Sequence, residues 1–394
     1  MENFTNVPFK YHEEVQLEIS DMANGGFGVG RVNNWVVMVP YVCVGEVVAV
    51  KIYKNLKNYS LGDLVSIVRP ADARVKPKCP LFGTCGGCQY QHMAYGAQLS
   101  AKRNQIVEIM KRIGGVEFPV NECIGSDRHY NYRSKITPHF QKSVPPIGFL
   151  ENGRRRIVDV EECPIATENI NRALPTAREK IFAEKGSLRK GGTLLLRDLG
   201  TNVVTDPKAS VSQSVGIREF SFRAGEFFQN NAYMLPELAN FASEVAAGPK
   251  YLIDAFCGVG VFGVVAAEKF ERVAGIEVSE VAVNFARLNA AKNGAANVEF
   301  TVGTAEQIFA AVEFPGCETS VIIDPPRTGC DANFLRQLME FAPEKIVYVS
   351  CSPDTQARDL KIISQAYAVG AIQPFDMFPQ TRHIENVVVL SRVH

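Results

Sequence analysis

The chain has 394 residues, 46% hydrophobic and 21% charged, with 42 basic and 42 acidic side chains. That length suits two or three domains with full-sized cores, and the ordinary charge content excludes a disordered chain. The most apolar run, Trp35 to Tyr53, is broken by Pro40, Gly45 and Glu46, which excludes one membrane-crossing helix there.

The start, Met1 to Phe9, has neither the basic head nor the apolar stretch of a signal peptide, so a cytoplasmic location is expected. Neutrality hides an asymmetry: residues 76–165 carry 13 basic and 8 acidic groups, residues 166–394 carry 22 and 26. A basic middle permits a stripe for phosphates on a neutral chain.

In chain order, short β-rich runs come first: Val15–Ile19, Trp35–Val39, Val47–Tyr53 and Leu61–Val68, parted by Asn24-Gly25-Gly26 and Asn33-Asn34. Such spacing predicts a small barrel over 1–72, either a plain appendage or an RNA-binding module. Arg74 to Cys88 reads as a linker holding Cys79, Cys85 and Cys88. In a chain expected in the cytosol such a cluster points to metal or catalysis rather than disulfides, and its spacing suits zinc or a [4Fe–4S] cluster. Gln98–Ile113 carries apolar residues at helical spacing and stops at Gly114-Gly115. The rest of a central domain, 73–215, reads as irregular. Arg128, Arg133, Lys135, Lys142 and Arg154–Arg156 interleave with Tyr130, Tyr132, Phe140 and Phe149. That mixture suits stacked bases and phosphates, and equally a solvated surface over a few core aromatics.

From 216 to 394 strands alternate with helices, which predicts an α/β doubly wound parallel sheet. Strands are expected at Tyr251–Ala255, Arg272–Glu277, Val298–Val302, Ser320–Asp324, Lys345–Ser350 and Asn386–Arg392, with helices at Val281–Asn293 and Asp331–Phe341. The first strand runs into Phe256-Cys257-Gly258-Val259-Gly260, a turn whose glycines let a ligand approach the backbone. Glu277 ends the next strand, where a carboxylate can accept from ribose hydroxyls. NAD sites use similar parts, but the Asp324-Pro325-Pro326 that follows favours S-adenosylmethionine. Cys257 reads as a packing residue.

Cys351 lies where a strand ends, and Glu385 enters the last one. A thiol, a carboxylate and a methyl donor in one domain suit methylation at carbon, as at uracil C5. That carbon becomes nucleophilic only after a thiolate adds to C6, and a base must then remove its proton. Asp324 and Gln229 offer groups to hold the base edge or the donor, Gln229 both donating and accepting.

These residues resemble the RNA 5-methyluridine methyltransferases over nearly the whole chain. Gly26-Phe27-Gly28-Val29-Gly30-Arg31 is similar to the family's N-terminal TRAM barrel, an OB-like RNA-binding module. Cys79-Pro80-Leu81-Phe82-Gly83-Thr84-Cys85-Gly86-Gly87-Cys88 is similar to the motif of its iron–sulfur branch, and Cys163-Pro164 to the distant fourth ligand. The resemblance implies a Rossmann-like methyltransferase domain, a TRAM barrel and a central α+β iron–sulfur domain. It implies Cys351 as nucleophile and Glu385 as base, with Gln229, Phe256, Gly258, Gly260, Glu277 and Asp324 at the S-adenosylmethionine site. Val261 stands where relatives often carry an asparagine, a departure that leaves the donor's amino-acid end to the backbone. It further implies a [4Fe–4S] cluster on Cys79, Cys85, Cys88 and Cys163, and an RNA partner, tRNA or rRNA with a lean to tRNA, met near Arg133 and Lys135. Neither a membrane nor an obligate protein partner is inferred. A radical methylthiotransferase also joins TRAM to iron–sulfur, but needs another cysteine spacing and another barrel; an inactive RNA-binding module would leave Cys351 and Glu385 without a task.

Overall fold

The computed structural model describes residues 7–142, 144–183 and 190–393. A closed barrel comes first, β1 (Glu14–Ala23), β2 (Phe27–Val32), β3 (Trp35–Pro40), β4 (Val47–Asn55) and β5 (Tyr59–Arg69), ordered β1-β2-β3-β5-β4. Alternation fills it: Leu17, Ile19, Val37, Val39, Val48, Val50 and Ile52 point inward, each worth roughly 1.5–3 kcal/mol on burial. β2 lies under the glycine-rich motif, whose Gly28 and Gly30 leave no room for a Cβ: one at Gly30 would stand 2.3 Å from Leu17 Cδ1.

Helix α1 (Tyr95–Ile109) forms where expected and continues through a wider turn, Met110–Gly114, to Gly115 in the left-handed region (φ 67°). The centre is less irregular than its sequence suggests. Short strands β6 (Lys135–Ile136), β7 (His139–Phe140), β8 (Ile147–Leu150), β9 (Ile157–Asp159), β10 (Gly192–Thr193), β11 (Leu196–Asp198) and β12 (Val203–Val204) make two small sheets. A helix, α2 (Glu168–Ala183), packs Ile170, Leu174 and Ala177 against Ile136, Ile147 and Leu196; Pro175 inside it hides it from sequence reading. Hairpin β13 (Ser210–Val215) and β14 (Arg218–Arg223) follows, so the expected boundary at 215/216 falls in its turn.

The last region is a seven-stranded sheet of β15 (Tyr251–Ala255), β16 (Arg272–Glu277), β17 (Val298–Val302), β18 (Thr319–Ile323), β19 (Lys345–Ser350), β20 (Tyr367–Phe375) and β21 (Glu385–Arg392). Its order is β17-β16-β15-β18-β19-β21-β20, parallel from β15 to β19, with β21 antiparallel to both neighbours. Both faces are buried, as central parallel strands require. Leu252, Ile322, Val347 and Val387 meet α3 (Leu235–Ala246), α4 (Val261–Ala266) and α5 (Glu280–Lys292). Ile253, Val321, Ile346 and Val388 face the other side. There α6 (Ile308–Ala311), α7 (Ala332–Phe341) and α8 (Pro353–Ile363) pack together with Ile106 and Ile109 of α1. A helix from the central region thus completes a layer of the C-terminal sheet. No helix among the described residues is long and apolar enough to cross a membrane.

An ion pair with both side chains fully buried joins α1 to the segment between β20 and β21: Lys102 Nζ lies 2.6 Å from Asp376 Oδ1. Removing one partner leaves a buried charge alone. Lys102→Met is expected to cost about 3–5 kcal/mol in denaturant unfolding, and the double change with Asp376→Leu to recover most of it.

Candidate active site

The site forms along the carboxyl edge of the sheet, where doubly wound folds bind ligands. Ser350 of β19 is the register partner of Asn386 of β21. Because the strands run oppositely, the next residue of one, Cys351, faces the preceding residue of the other, Glu385. Gln356 of α8 ties the pair: its Nε2 donates to Tyr348 O (2.8 Å) and Asn386 O (3.2 Å), and its Oε1 accepts from Asn386 Nδ2 (2.8 Å). Ser352 N donates to Ser350 Oγ (3.0 Å), turning the chain sharply around Cys351 before α8 begins.

Asp324 ends the neighbouring strand, β18, one position past Ile323, which pairs with Tyr348. The loop it opens is braced by α8: Thr355 Oγ1 donates to Arg327 O (3.2 Å), and Asp359 Oδ2 accepts from Cys330 N (2.8 Å). Gly329 (φ 75°) fits because a Cβ there would stand 2.7 Å from Asp359 Oδ2.

Glu385 lies out of water, with the half-buried Cys351 and Asp324 beside it. Burial pushes the Cys351 thiol up to about 11, the neighbouring Glu385 and Asp324 push it the same way, and the Arg327 guanidinium opposes them. Burial, then the charge of Asp324, holds the Glu385 carboxyl well above the usual range, again against Arg327. Glu385 is 1% exposed and its Oε2 has no hydrogen-bond partner among the described residues. Asp324, half-buried, is raised by burial. Arg327, exposed and acting on both Cys351 and Glu385, is the functional candidate that sequence reading passed over, although it directly follows the Asp-Pro-Pro motif.

The expected donor turn lies two strands along. Phe256 (φ 64°), Gly258 (φ 54°) and Gly260 (φ 83°) are all left-handed. Open space lies where a Cβ of Gly258 would project, whereas one at Gly260 would meet Phe300 Cζ at 2.6 Å. Glu277 accepts from Gly258 N (3.2 Å) and Ser279 N (2.9 Å), so its carboxylate stands at the turn. Asp254, not singled out from the sequence, is buried, accepts from Gly263 N (2.8 Å) and keeps Oδ1 unpartnered; burial raises it to about 7. Val261 starts α4, and its apolar side chain offers no polar contact. Gln229 lies half-buried in the loop after β14, beside Asn230, whose carbonyl accepts from Ser134 N (2.8 Å).

Cys79, Cys85, Cys88 and Cys163 line one cavity of about 540 Å³, with Arg133, Arg154 and Arg155 at its walls. Backbone N–H groups of Leu81 and Phe82 point at the Cys79 sulfur, that of Gly87 at Cys85, and those of Ile165 and Ala166 at Cys163. Burial nevertheless raises these thiols, Cys88 to about 12. Among the described residues no group of three or more His, Cys, Asp or Glu stands as ligands to a metal ion.

Arg133 and Lys135, expected at an RNA path, are engaged by the protein itself. Arg133 Nε donates to Lys135 O (3.0 Å), and Lys135 Nζ to Gly225 O (3.1 Å) and Glu226 O (3.2 Å). Tyr132 is fully buried, its hydroxyl donating to Pro379 O (3.0 Å), so it is a core aromatic and not a stacking surface. Exposed cations sit elsewhere: Arg128 over the Tyr233 ring (4.1 Å) and Lys78 over Tyr130 (5.1 Å).

Comparison with known proteins finds a family and a fold for the chain. The tRNA (Uracil-5-)-methyltransferase family model matches residues 194–393, and the TRAM domain model matches residues 10–65. The tRNA (uracil(54)-C(5))-methyltransferase of Schizosaccharomyces pombe is 38% identical, over 98% of this chain and 80% of that protein. Its Saccharomyces cerevisiae counterpart is 32% identical, over 98% and 75%. The crystal structure of Pyrococcus abyssi tRNA (uracil-54, C5)-methyltransferase in complex with S-adenosyl-L-homocysteine is similar with a TM-score of 0.74 and 27% identity, covering 95% of this chain and all of that one.

A raised thiol pKa means neutral sulfur at pH 7 and a thiolate fraction that grows about tenfold per pH unit up to the pKa. Alkylation of Cys351 by iodoacetamide, followed by peptide mass mapping, is therefore expected to accelerate about tenfold per unit between pH 7 and 9. At fixed pH, Glu385→Gln is expected to speed it and Arg327→Gln to slow it.

Proposed function

Because this chain belongs to the tRNA (uracil-5-)-methyltransferase family, we propose that it transfers a methyl group from S-adenosylmethionine to C5 of uridine 54 in tRNA, with Cys351 as nucleophile and Glu385 as base. The observation that carries this reading is the facing of Cys351 and Glu385 across β19 and β21, with Asp324 alongside. The named relatives act on tRNA uracil-54, which favours tRNA over rRNA.

S-adenosylmethionine supplies an electrophilic methyl group on a sulfonium. The chain offers it a fitting place: the open space before Gly258, the Glu277 carboxylate and the unpartnered Asp254 Oδ1. Gln229, Phe256, Gly260, Val261 and Asp324 complete the proposed donor surround, Val261 through its backbone alone. On the substrate, Cys351 reacts as its thiolate, the thiol proton having gone to solvent: Sγ bonds to C6 of the uracil and the C5=C6 electron pair becomes nucleophilic at C5. C5 takes the methyl group as the methyl–sulfonium bond breaks and S-adenosylhomocysteine is left, Glu385 takes the C5 proton, and the Sγ–C6 bond breaks to restore the ring. A carboxylate held above its ordinary pKa is the stronger base for that proton. Arg327 offsets the negative charge that opposes thiolate formation. A nucleotide flipped from its stack is the substrate form that reaches such a buried pair.

The cysteine cavity takes a [4Fe–4S] cluster in this proposal, held by Cys79, Cys85, Cys88 and Cys163. Its volume exceeds the need of a single ion, and N–H groups aimed at the sulfurs favour the thiolates that ligation requires. Its role is structural, pinning the central region. The RNA path is assigned to the exposed Arg128, Arg154 and Arg155, with Arg133 and Lys135 shaping the frame beneath.

Incubation with S-adenosylmethionine and 5-fluorouridine-substituted tRNA is expected to give a denaturation-stable adduct, since fluorine does not leave as a proton does. No adduct, or one surviving Cys351→Ala, would sink the mechanism. Anaerobic purification is expected to give brown protein with about four irons per chain; colourless protein with one zinc refutes the cluster.

A further inference from the structure

Among the described residues the carboxylate of Glu385 is held by no hydrogen bond at Oε2, although in the proposed reaction it must meet one particular proton. Its placement rests on the backbone and on the segment 376–384 that delivers it. That segment carries no regular structure beyond turns, and its anchors come from far upstream. Met377 O accepts from Asn231 Nδ2 (3.0 Å), Pro379 O from the Tyr132 hydroxyl (3.0 Å), and Asp376 from Lys102.

The densest anchorage is at Gln380, 3% exposed and in the left-handed region (φ 69°). Its carbonyl accepts from Gln89 N (3.1 Å) and Tyr90 N (3.0 Å), the two residues directly after Cys88. Its side-chain oxygen accepts from Gln98 Nε2 (3.1 Å), and Gln98 Oε1 accepts in turn from Gln380 N (3.1 Å). Gln98 itself is fully buried and also donates to Met93 O (2.9 Å). The neighbouring Arg382 N donates to Gln89 Oε1 (3.2 Å). A non-glycine residue keeps a left-handed backbone only where its surroundings over-determine it, and here its hydrogen bonds run to Gln89, Tyr90 and Gln98, from the stretch after Cys88 and from α1.

We infer that Gln380 is a positioning residue for the reaction: through it, the segment after Cys88 and Gln98 of α1 fix the loop that sets the aim of Glu385. This rests on the proposed base role of Glu385. It acts on one step only. Bonding of Cys351 to C6 and methyl transfer precede proton removal, so a loosened loop slows the last step and leaves the methylated adduct standing.

The test uses full-length protein and a tRNA transcript, comparing the parent with Gln380→Gly, Gln98→Ala and Tyr132→Phe. The glycine accepts the left-handed backbone while deleting the amide, and Tyr132→Phe removes a single hydroxyl from the same loop, so folding survives in at least one variant. Three quantities are read: adduct formation on 5-fluorouridine tRNA, tritium release from [5-³H]uridine tRNA, and adduct standing on ordinary tRNA during turnover. The expected result is 5-fluorouridine adduct formation within about twofold of the parent, tritium release lowered roughly tenfold, and standing adduct raised in proportion. Unchanged tritium release, or all three falling together, overturns the inference while the parent's adduct upholds the function. A parent that forms no adduct overturns both.

Discussion

The insertion of β21 between β19 and β20, antiparallel to both, is the constraint on which the site depends. In a purely parallel sheet each strand's carboxyl end meets only other carboxyl ends. Reversing one strand brings an amino end, and whatever enters it, to the same edge. Glu385 reaches Cys351 in this way, through the Ser350–Asn386 register, and Gln356 seals the register from the α8 side. A slip of one residue would turn each side chain of β21 to the opposite face, exchanging Val387 and Val389 with Val388 and Leu390 between the two cores. The packing that stabilises the sheet therefore also fixes the facing of thiol and carboxyl.

The other regions are built around that edge rather than strung before it. α1 supplies one layer of the C-terminal core and the buried cation for Asp376. Tyr90 and Met93 pack with Met22 and Cys43 of the barrel and Ala101 of α1. The fully buried Glu46 accepts from Cys43 N (2.8 Å) and pairs with Arg74 at the barrel's exit. Polar groups out of water are costly unless satisfied, and here each satisfied one ties two regions together.

Much of this was legible in the sequence, for physical reasons that differ by element. Six of the seven strands of the sheet read clearly because short apolar runs end in turn residues. Cys351 and Asp324 stood out because each terminates such a run. β20 did not, since Gly370 and a bulge between Val369 and Ala371 break its alternation. α2 was masked by its internal proline, and Tyr132 stayed open between a stacking and a core aromatic because sequence does not report burial. The Gln98–Gln380 amide pair spans 282 positions, and two glutamines that far apart carry no local pattern at all. What sequence reading missed was mostly polar and long-range, whereas what it found was apolar and local.

The tip of the barrel has a consequence of its own. A Cβ at Gly26 would stand 3.2 Å from both Gln89 Cβ and Tyr90 Cε1 and 3.5 Å from Arg382 Cβ, and Arg382 reaches back to Gly25 O (3.4 Å). The first turn of the N-terminal module is thus seated against the loop that leads into the final strand, with no slack of a tether between them. The barrel's tip and the delivery of Glu385 therefore share one contact, and a change of residue at Gly26 would be felt at the loop before the final strand.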